Sequence, residues 1–135
     1  MKYILDTNAV SAMMSGDERV LDRLEAVARH EVWVPQPAWA EIAFGLTRLP
    51  GSKRKVWLEE RREVVRQATQ GAVWTDEVTL AFGRIKATLE KRGEPIEDFD
   101  AAIAAHALSE DAVLVTSDRK HMPRIPGLVV EDWSQ

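Results

Sequence analysis

The sequence predicts an α/β fold with three layers, in which a short parallel β-sheet lies between helices. Short apolar runs alternate with longer amphipathic segments along the chain, as in strand–helix–strand units with right-handed connections. Turn-forming residues such as Pro35, Gly71 and Gly93 separate these segments. The chain has 135 residues, of which 45% are hydrophobic. That is enough for one core, so we expect a single domain over residues 1–135.

Five strands are predicted from the apolar runs. They cover residues 2–5, 32–34, 72–74, 112–116 and 128–131. Pro35 ends the second strand, because proline cannot donate a hydrogen bond to a sheet. The fourth run is the most hydrophobic, which predicts a central strand that is buried on both faces.

Six helices are predicted between the strands. They cover residues 9–14, 18–29, 38–49, 52–70, 76–92 and 99–109. The expected N-terminal caps are Thr7 or Asn8, Thr75 or Asp76, and Asp98. Pro37 suits the first turn of the third helix.

Apolar patterns predict how two helices pack. The expected contacts of the helix over residues 52–70 are Val56, Trp57, Val64 and Val65. The helix over residues 99–109 carries a narrow stripe of mostly small residues, namely Ile103, Ala104, Ala107 and Leu108.

The chain has five tryptophans, and most of them are expected in the core. Two exceptions, Trp39 and Trp57, are predicted to form an exposed apolar groove together with Met13 and Met14. Large exposed apolar patches mark interaction sites.

Composition excludes several classes of function. The chain has no cysteine, which removes disulfides, thiolate catalysis and cysteine-based metal sites. Its three histidines show no metal-binding spacing, and its net charge of −4 argues against a protein that coats duplex nucleic acid. We see no signal peptide and no apolar run of the ~20 residues needed to span a membrane. A cytoplasmic protein without membrane contact is therefore expected.

Four acidic residues occupy positions that an α/β fold brings together. Asp6 and Asp118 follow the first and fourth predicted strands, Asp100 opens the last helix, and Glu41 lies on the apolar face of the third helix. Ligands of open parallel sheets bind at the carboxyl ends of the strands. Carboxylates gathered there repel one another unless a proton or cation offsets the charge, and hard cations such as Mg²⁺ prefer oxygen ligands. Such a site suits metal-assisted hydrolysis of a phosphodiester.

Each acid also has a simpler interpretation. Asp6 could cap a helix, and Asp100 could interact with a helix dipole. Asp118 could form a turn, and Glu41 could be exposed if the helix were misaligned by one step. Taken separately these interpretations are reasonable, but together they require four unrelated coincidences at one edge of the sheet.

At this point the chain resembles the PIN-domain ribonucleases, and in particular the VapC-type toxins of bacterial toxin–antitoxin pairs. The resemblance covers the whole length. It rests on four segments, which are Leu5-Asp6-Thr7-Asn8, Pro37-Ala38-Trp39-Ala40-Glu41-Ile42, residues 98–107 from Asp98 to Ala107, and Val115-Thr116-Ser117-Asp118 followed by Ile125-Pro126-Gly127-Leu128.

The resemblance implies a PIN-like fold and an Mg²⁺- or Mn²⁺-dependent endoribonuclease. Its acidic quartet matches Asp6, Glu41, Asp100 and Asp118, and the last of these positions is Asp or Asn among relatives. Thr7, Asn8, Asp98 and Thr116 are expected to support the carboxylates, although helix capping is the favoured role of Asp98. The implied partners are an RNA substrate, a cognate antitoxin whose C-terminal segment lies in an apolar groove, and a second copy of the chain. With antitoxin, a heterotetramer or larger assembly is expected.

Basic residues form three groups along the chain. They are Arg48 with 53–55, Arg61 with Arg62 and Arg66, and Arg119-Lys120-His121 with Arg124. We interpret the first two groups as solvated surface. Arg119 and Lys120 directly follow Asp118, so we predict that they bind the RNA phosphate backbone.

Three rival functions stay open on the sequence alone. A PIN nuclease of RNA maturation would share the site but have no antitoxin gene beside it. A phosphoacceptor signalling domain would require paired acids after the first strand and a lysine after the last, whereas Asp6 is unpaired and Glu131-Asp132 takes the lysine's place. A catalytically inactive binding module conflicts with the presence of all four acids.

Overall fold

A computed structural model describes residues 1–135, the whole chain, and its centre is a five-stranded sheet. The strands are β1 (Tyr3–Leu5), β2 (Val32–Pro35), β3 (Gln70–Ala72), β4 (Val113–Val115) and β5 (Val130–Glu131). Their order is β3-β2-β1-β4-β5, and every pairing is parallel. The predicted α/β class with a parallel sheet is therefore confirmed.

Six helices connect and flank the strands. They are α1 (Thr7–Met14), α2 (Glu18–Ala26), α3 (Gln36–Thr47), α4 (Lys53–Ala68), α5 (Asp76–Lys91) and α6 (Asp98–Ser109). Single 3₁₀ turns occupy Arg29–Glu31 and Met122–Arg124. As predicted, Pro37 lies in the first turn of α3, and the Thr75 hydroxyl caps α5 by accepting a hydrogen bond from Val78 N.

The central strand is β1, so the prediction that residues 112–116 form the centre is wrong. β4 lies beside β1, and all three of its residues are buried. A hydrophobic run reports burial on both faces, which an inner strand shares with the central one. In the register of these two strands, Tyr3 pairs with Val113 and Leu5 with Val115. The two strands therefore end side by side.

The third strand lies two residues earlier than predicted. α4 ends at Ala68, and the Thr69 hydroxyl donates to the carbonyl of Val65 as the backbone becomes extended. Gly71 is then paired with Val34 inside β3 and does not end a helix. Beyond this strand, Val73 is 74% exposed. Pairing with β2 decided the boundary, and this is a tertiary effect that local propensity does not contain.

Caps explain two further corrections. Asp6 caps α1, because its Oδ1 accepts a hydrogen bond from Thr7 N. The predicted caps Thr7 and Asn8 are thus the first helical residues. Asp98 is likewise not a cap, because α6 begins with it, and its carboxylate pairs with Lys86.

Smaller boundary differences occur at three other ends. α2 stops at Ala26 because Val27 is extended, α3 stops at Thr47, and β5 is confined to Val130–Glu131. The end of α2 lies three residues earlier than predicted, whereas the differences of two residues at α3 and β5 are normal at frayed ends.

The predicted apolar face of α4 is largely wrong. Val56 and Val64 are 55% and 52% exposed, whereas Leu58 and Val65 are buried. Leu58 and Val65 lie seven positions apart, which places them on one face of a helix. Trp57 is also exposed.

The tryptophan and groove predictions also need correction. Trp133 is buried, Trp33 and Trp39 are partly buried, and Trp57 and Trp74 are exposed. The core therefore takes one tryptophan and not most of them. Met13 and Met14 are buried, so they do not form an exposed groove with the tryptophans.

α6 is the most deeply buried helix. All residues from Ala101 to Ala107 are buried, and the helix packs against β1, β4, α3 and α5. A stripe was predicted, but burial extends around the helix. Alanine side chains allow this arrangement because they let the helix approach the sheet and its neighbours closely.

His106 is the polar exception in α6. It is 1% exposed, and neither ring nitrogen has a hydrogen-bond partner. The Trp74 ring covers it edge-to-face, at a centroid distance of 5.6 Å and an angle of 88°. Burial lowers the pKa of His106, and Glu110 opposes this shift only in part.

None of the six helices is long and apolar enough to cross a lipid bilayer.

His106 should make the protein less stable in acid. Its folded pKa lies below the usual 6.5, so the unfolded chain takes up a proton first as the pH falls through 6.5. Folding stability is therefore lost from that pH down to the folded pKa. We expect the free energy of unfolding, measured with urea, to fall less in His106→Phe than in the wild type between about pH 7.5 and pH 5. The exposed His30→Phe is the control, and equal pH slopes for both variants would contradict the assignment.

Candidate active site

The structure gathers the four predicted acids around the carboxyl ends of β1 and β4. Asp6 follows β1 and Asp118 lies three residues beyond β4. Asp100 is in the first turn of α6, and Glu41 lies in the middle of α3, where it is partly buried. The prediction that Glu41 faces inward is consistent with this placement.

Asp6 is the most buried of the four, with 3% of its surface exposed. Its Oδ1 accepts from the Thr7 amide at 2.7 Å, and its Oδ2 accepts from the Thr116 hydroxyl at 2.7 Å. Burial raises the pKa of Asp6, repulsion from Glu41 and Asp118 adds to the rise, and the two hydrogen bonds oppose it. Asp6 therefore caps a helix and also occupies the centre of the acidic group.

Three polar side chains support Asp6 and Glu41. Thr7 donates its hydroxyl to Glu41 Oε1 at 2.6 Å. Asn8 donates to Thr116 Oγ1 at 3.2 Å and accepts from the Ser117 amide, so it ties α1 to the loop after β4. Thr116 is 1% exposed. The structure thus places Thr7, Asn8 and Thr116 against the acids.

Asp118 lies in a different environment. Its Oδ1 accepts from the amides of Lys120 and His121, and its Oδ2 lies 3.2 Å from His121 Nδ1. Burial alone would raise the pKa of Asp118, but these hydrogen bonds and the His121 charge lower it overall. Asp118 is therefore held as a carboxylate.

Asp100 is close enough to be affected by all three other acids. Burial, followed by repulsion from Asp6, Glu41 and Asp118, raises its pKa to about 6. Four carboxylates from separate segments are therefore close enough to disfavour full ionisation. Such a group is a candidate functional site on electrostatic grounds.

The residues present fit a hard divalent cation in chemistry and charge. All four supply carboxylate oxygens, and a cation would offset the repulsion that raises the pKa of Asp100. As the side chains stand, no three acidic or histidine groups form a tight cluster of the metal-ligand type. Asp6, Glu41 and Asp118 instead accept hydrogen bonds from their own hydroxyl or amide donors.

Asp98 lies apart from the four acids. Its Oδ1 is 2.9 Å from Lys86 Nζ, and its side chain is 78% exposed. It has no hydrogen bond to any of the acids. Its contact with Lys86 joins α5 to the first residue of α6, the helix that carries Asp100.

The two predicted RNA-binding residues border the site. Arg119 is 64% exposed, and its Nε lies 3.3 Å from Asp132 Oδ2. The Lys120 side chain is exposed, and its backbone amide donates to Asp118. Lys120 therefore presents its charge to solvent, whereas the Arg119 guanidinium pairs with Asp132 while most of its side chain stays exposed.

Three basic groups near Asp100 were not among the site residues predicted from the sequence, although His121 and Arg124 belong to the basic group after Asp118 that could steer an RNA backbone into the site. Lys86, His121 and Arg124 line a cavity of 490 Å³ that Asp100 also lines. Two of them stood in a basic run of the sequence. Lys86 gave no signal, because only the packing of α5 on α6 brings it there.

The chain is similar to known proteins over its whole length. The PIN domain family model matches residues 3–128. Ribonuclease VapC1 of Haemophilus influenzae is 30% identical over 140 residues, and the match covers 100% of both chains. Ribonuclease VapC2 of Rickettsia felis is 29% identical, again over 100% of both chains. The tRNA(fMet)-specific endonuclease VapC of Salmonella typhimurium is 29% identical over 98% of each chain.

Solved structures agree with these relatives. VapBC2 from Rickettsia felis, bound to a DNA fragment from its promoter, contains a chain that matches with a TM-score of 0.88 and 27% identity, over 98% of this chain and 99% of that one. VapBC-1 from nontypeable Haemophilus influenzae matches with a TM-score of 0.84 and 27% identity over 100% of both. The full-length similarity in sequence and structure shows that the chain belongs to the PIN-domain family and, within it, to the VapC ribonucleases.

Proposed function

We propose that the chain is an Mg²⁺- or Mn²⁺-dependent endoribonuclease and the toxin of a toxin–antitoxin pair. The observation that carries the proposal is the convergence of Asp6, Glu41, Asp100 and Asp118 at the carboxyl ends of β1 and β4, and the raised pKa of Asp100, caused by burial and then by the other acids, agrees with it. Family relatives named as ribonucleases and as a tRNA endonuclease support RNA as the substrate.

The four acids share one task in this proposal, and neighbouring groups hold them in place. Asp6, Glu41, Asp100 and Asp118 would hold one or two divalent cations. When bound, such cations polarise a phosphoryl oxygen and lower the pKa of water. Thr116 and Thr7 orient Asp6 and Glu41 through hydroxyl hydrogen bonds. Asp118 is already ionised by its amide donors.

Family membership removes the phosphoacceptor alternative. The rival interpretation as an RNA-maturation nuclease uses the same chemistry, so the partner distinguishes the two. Relatives of known structure are VapBC toxin–antitoxin complexes. We propose that this chain also binds a cognate antitoxin, pairs with a second copy, and forms a heterotetramer or larger complex with the antitoxin.

The antitoxin segment is proposed to lie in the groove between α1, α3 and α4. This groove has a volume of 240 Å³, and Thr7 and Glu41 line it together with Ile42, Gly45 and other residues of these helices. Of the four residues predicted for such a groove, Met14 lines this one, and Trp39, Trp57 and Met13 do not. A segment bound there would reach Glu41 and could block the acidic site.

Asp6→Asn and Asp100→Asn should each lower the rate of RNA cleavage about 100-fold or more. The reason is that losing a metal ligand removes several kcal/mol of transition-state stabilisation. Both variants should also lose the rise in Tm that Mg²⁺ or Mn²⁺ gives the wild-type protein. Cleavage of labelled RNA and thermal unfolding with and without the cation measure the two effects. The matched control is Asp22→Asn, since Asp22 is exposed on α2. A folded Asp6→Asn protein with full activity would refute the proposal.

Replacing Arg119 and Lys120 together with alanine should weaken RNA binding and leave kcat nearly unchanged, because both side chains are exposed beside Asp118. For every phosphate that is no longer neutralised, the slope of log affinity against log salt should become shallower by about 0.7. Affinity titrations over a salt series give this slope. Identical slopes for the variant and the wild type would exclude a substrate-binding role.

Gly45→Arg should fill the α1–α3–α4 groove and prevent binding of the cognate antitoxin. Gly45 is helical and no atom lies within 4 Å of an added Cβ, so the fold should tolerate the change. Gly83→Arg is the matched control, because Gly83 is equally open and lies on α5. Co-purification measures antitoxin binding by the two variants. The proposed homodimer is tested separately, by light scattering on the isolated wild-type chain. Equal capture by both variants would place the antitoxin elsewhere, and a monomer at high concentration would contradict pairing.

A further inference from the structure

The 490 Å³ cavity beside Asp100 has the features of a substrate subsite. It lies where α5 at Lys86, the turn before α6 and the 3₁₀ turn Met122–Arg124 meet. Its volume is within the range of small-ligand pockets. Asp100 and His121 both line it, and His121 contacts Asp118. The cavity is therefore continuous with the acidic site.

Lys86 presents an unused donor to this cavity. Its Nζ donates to the Ile96 carbonyl at 2.8 Å and lies 2.9 Å from Asp98 Oδ1. An ammonium group has three N–H donors, so one is left over. The side chain is 34% exposed, and its two contacts hold the ammonium group in place.

Arg124 has spare donors for the same reason. Its Nη1 lies 3.1 Å from Glu94 Oε2, and its Nε donates to the His121 carbonyl at 3.3 Å. Its Nη2 has no hydrogen-bond partner in the protein. The side chain is 29% exposed, and Arg92 donates to the Arg124 carbonyl, so the guanidinium is held on a fixed backbone.

Acidic residues on the cavity wall do not cancel these donors. Three acids line the cavity: Asp98 is paired with Lys86, Asp100 belongs to the acidic site, and Glu97 is exposed and lies near enough to Asp100 to act on its charge. None of them pairs with the remaining N–H donors of Lys86 and Arg124. The donors that remain unused are N–H groups of two cations, which is the chemistry that binds an anionic oxygen, phosphate above all.

The opposite side of the acidic site differs in character. The groove beside Glu41 is lined by Ile42, Leu46 and Leu58, with Arg54 as its only basic residue. An RNA strand that crosses the four acids carries a phosphate at every nucleotide. Its neighbouring phosphate is better matched by Lys86 and Arg124 than by this apolar groove.

We propose that the cavity binds the phosphodiester group next to the one that is cleaved, with Lys86 and Arg124 as its hydrogen-bond donors. The proposal rests on the proposed function as an RNA nuclease. His121 lines the cavity and its Nδ1 contacts Asp118, so its ring lies between the cavity and the acidic site.

The test uses single-stranded RNA oligonucleotides in which one phosphodiester at a time is replaced by a neutral methylphosphonate. In the wild-type protein, neutralising a linkage adjacent to the cleaved one should raise KM about tenfold, the size of one charge-assisted hydrogen bond, with little change in kcat. In Arg124→Gln the penalty of the same neutral linkage should become smaller, because one of the two donors that it meets is already absent, and it should vanish in the double variant Lys86→Gln/Arg124→Gln. Lys86→Gln alone should behave like Arg124→Gln.

Arg84→Gln is the matched control, because Arg84 is an exposed basic residue of α5 and does not line the cavity. It should keep the full tenfold penalty. Thermal unfolding of each variant shows whether it is folded, and Arg124→Lys should restore part of the penalty. An undiminished penalty in folded Arg124→Gln and Lys86→Gln would overturn the subsite.

Affinity measured in the Asp6→Asn background separates this proposal from the proposed function. There the same oligonucleotides are scored by fluorescence anisotropy, without cleavage. If Asp6→Asn cleaves RNA like the wild type, the four-acid function fails while the subsite still stands or falls on its own binding data. If the neutral-linkage penalty survives undiminished in both glutamine variants, the subsite fails and the nuclease assignment is untouched.

Discussion

Repulsion among four carboxylates is the constraint to which the rest of the structure responds. The parallel pairing of β1 with β4 ends both strands at one level, which brings Asp6 and Asp118 to the same edge. Like charges at this distance disfavour full ionisation, and this repulsion adds to burial in raising the pKa of Asp100 to about 6. The protein reduces the effect in part with donors, namely Thr116 and the Thr7 amide at Asp6 and the Lys120 and His121 amides at Asp118.

The burial of α6 follows from the same constraint. Asp100 can reach the other acids only if the N-terminus of its helix lies close to the strand ends. The five alanines between residues 101 and 107 allow the helix to pack on β1, β4, α3 and α5 at once. Larger side chains would push the helix, and Asp100 with it, away from the sheet. Lys86 completes the placement by holding the turn before α6 at Ile96 and Asp98.

Much of this arrangement could be predicted from the sequence, because it depends on local pattern. Strand–helix alternation predicted the parallel sheet, and an apolar run ending in Asp located two of the acids. The errors occurred where distant contacts decide. β3 is set by its pairing with β2, and α4 turns Leu58 and Val65 inward while Val56 stays exposed. The Lys86–Asp98 and Arg119–Asp132 pairs join segments that are separated along the chain, so no spacing rule predicts them.

The two flanks of the acidic site differ in a way that separates substrate from partner. One flank has fixed cations with unused N–H donors, Lys86 and Arg124. The other is an apolar groove that ends at Thr7 and Glu41. A phosphate gains little from an apolar wall, because the wall offers its oxygens no hydrogen-bond donors. An apolar segment gains little from a cationic wall, because the cations would lose water without gaining a partner. A partner in the groove therefore need not compete with RNA for the basic donors. It can inhibit by occupying the acids alone, and this leaves the phosphate-binding side of the enzyme unchanged when the partner dissociates.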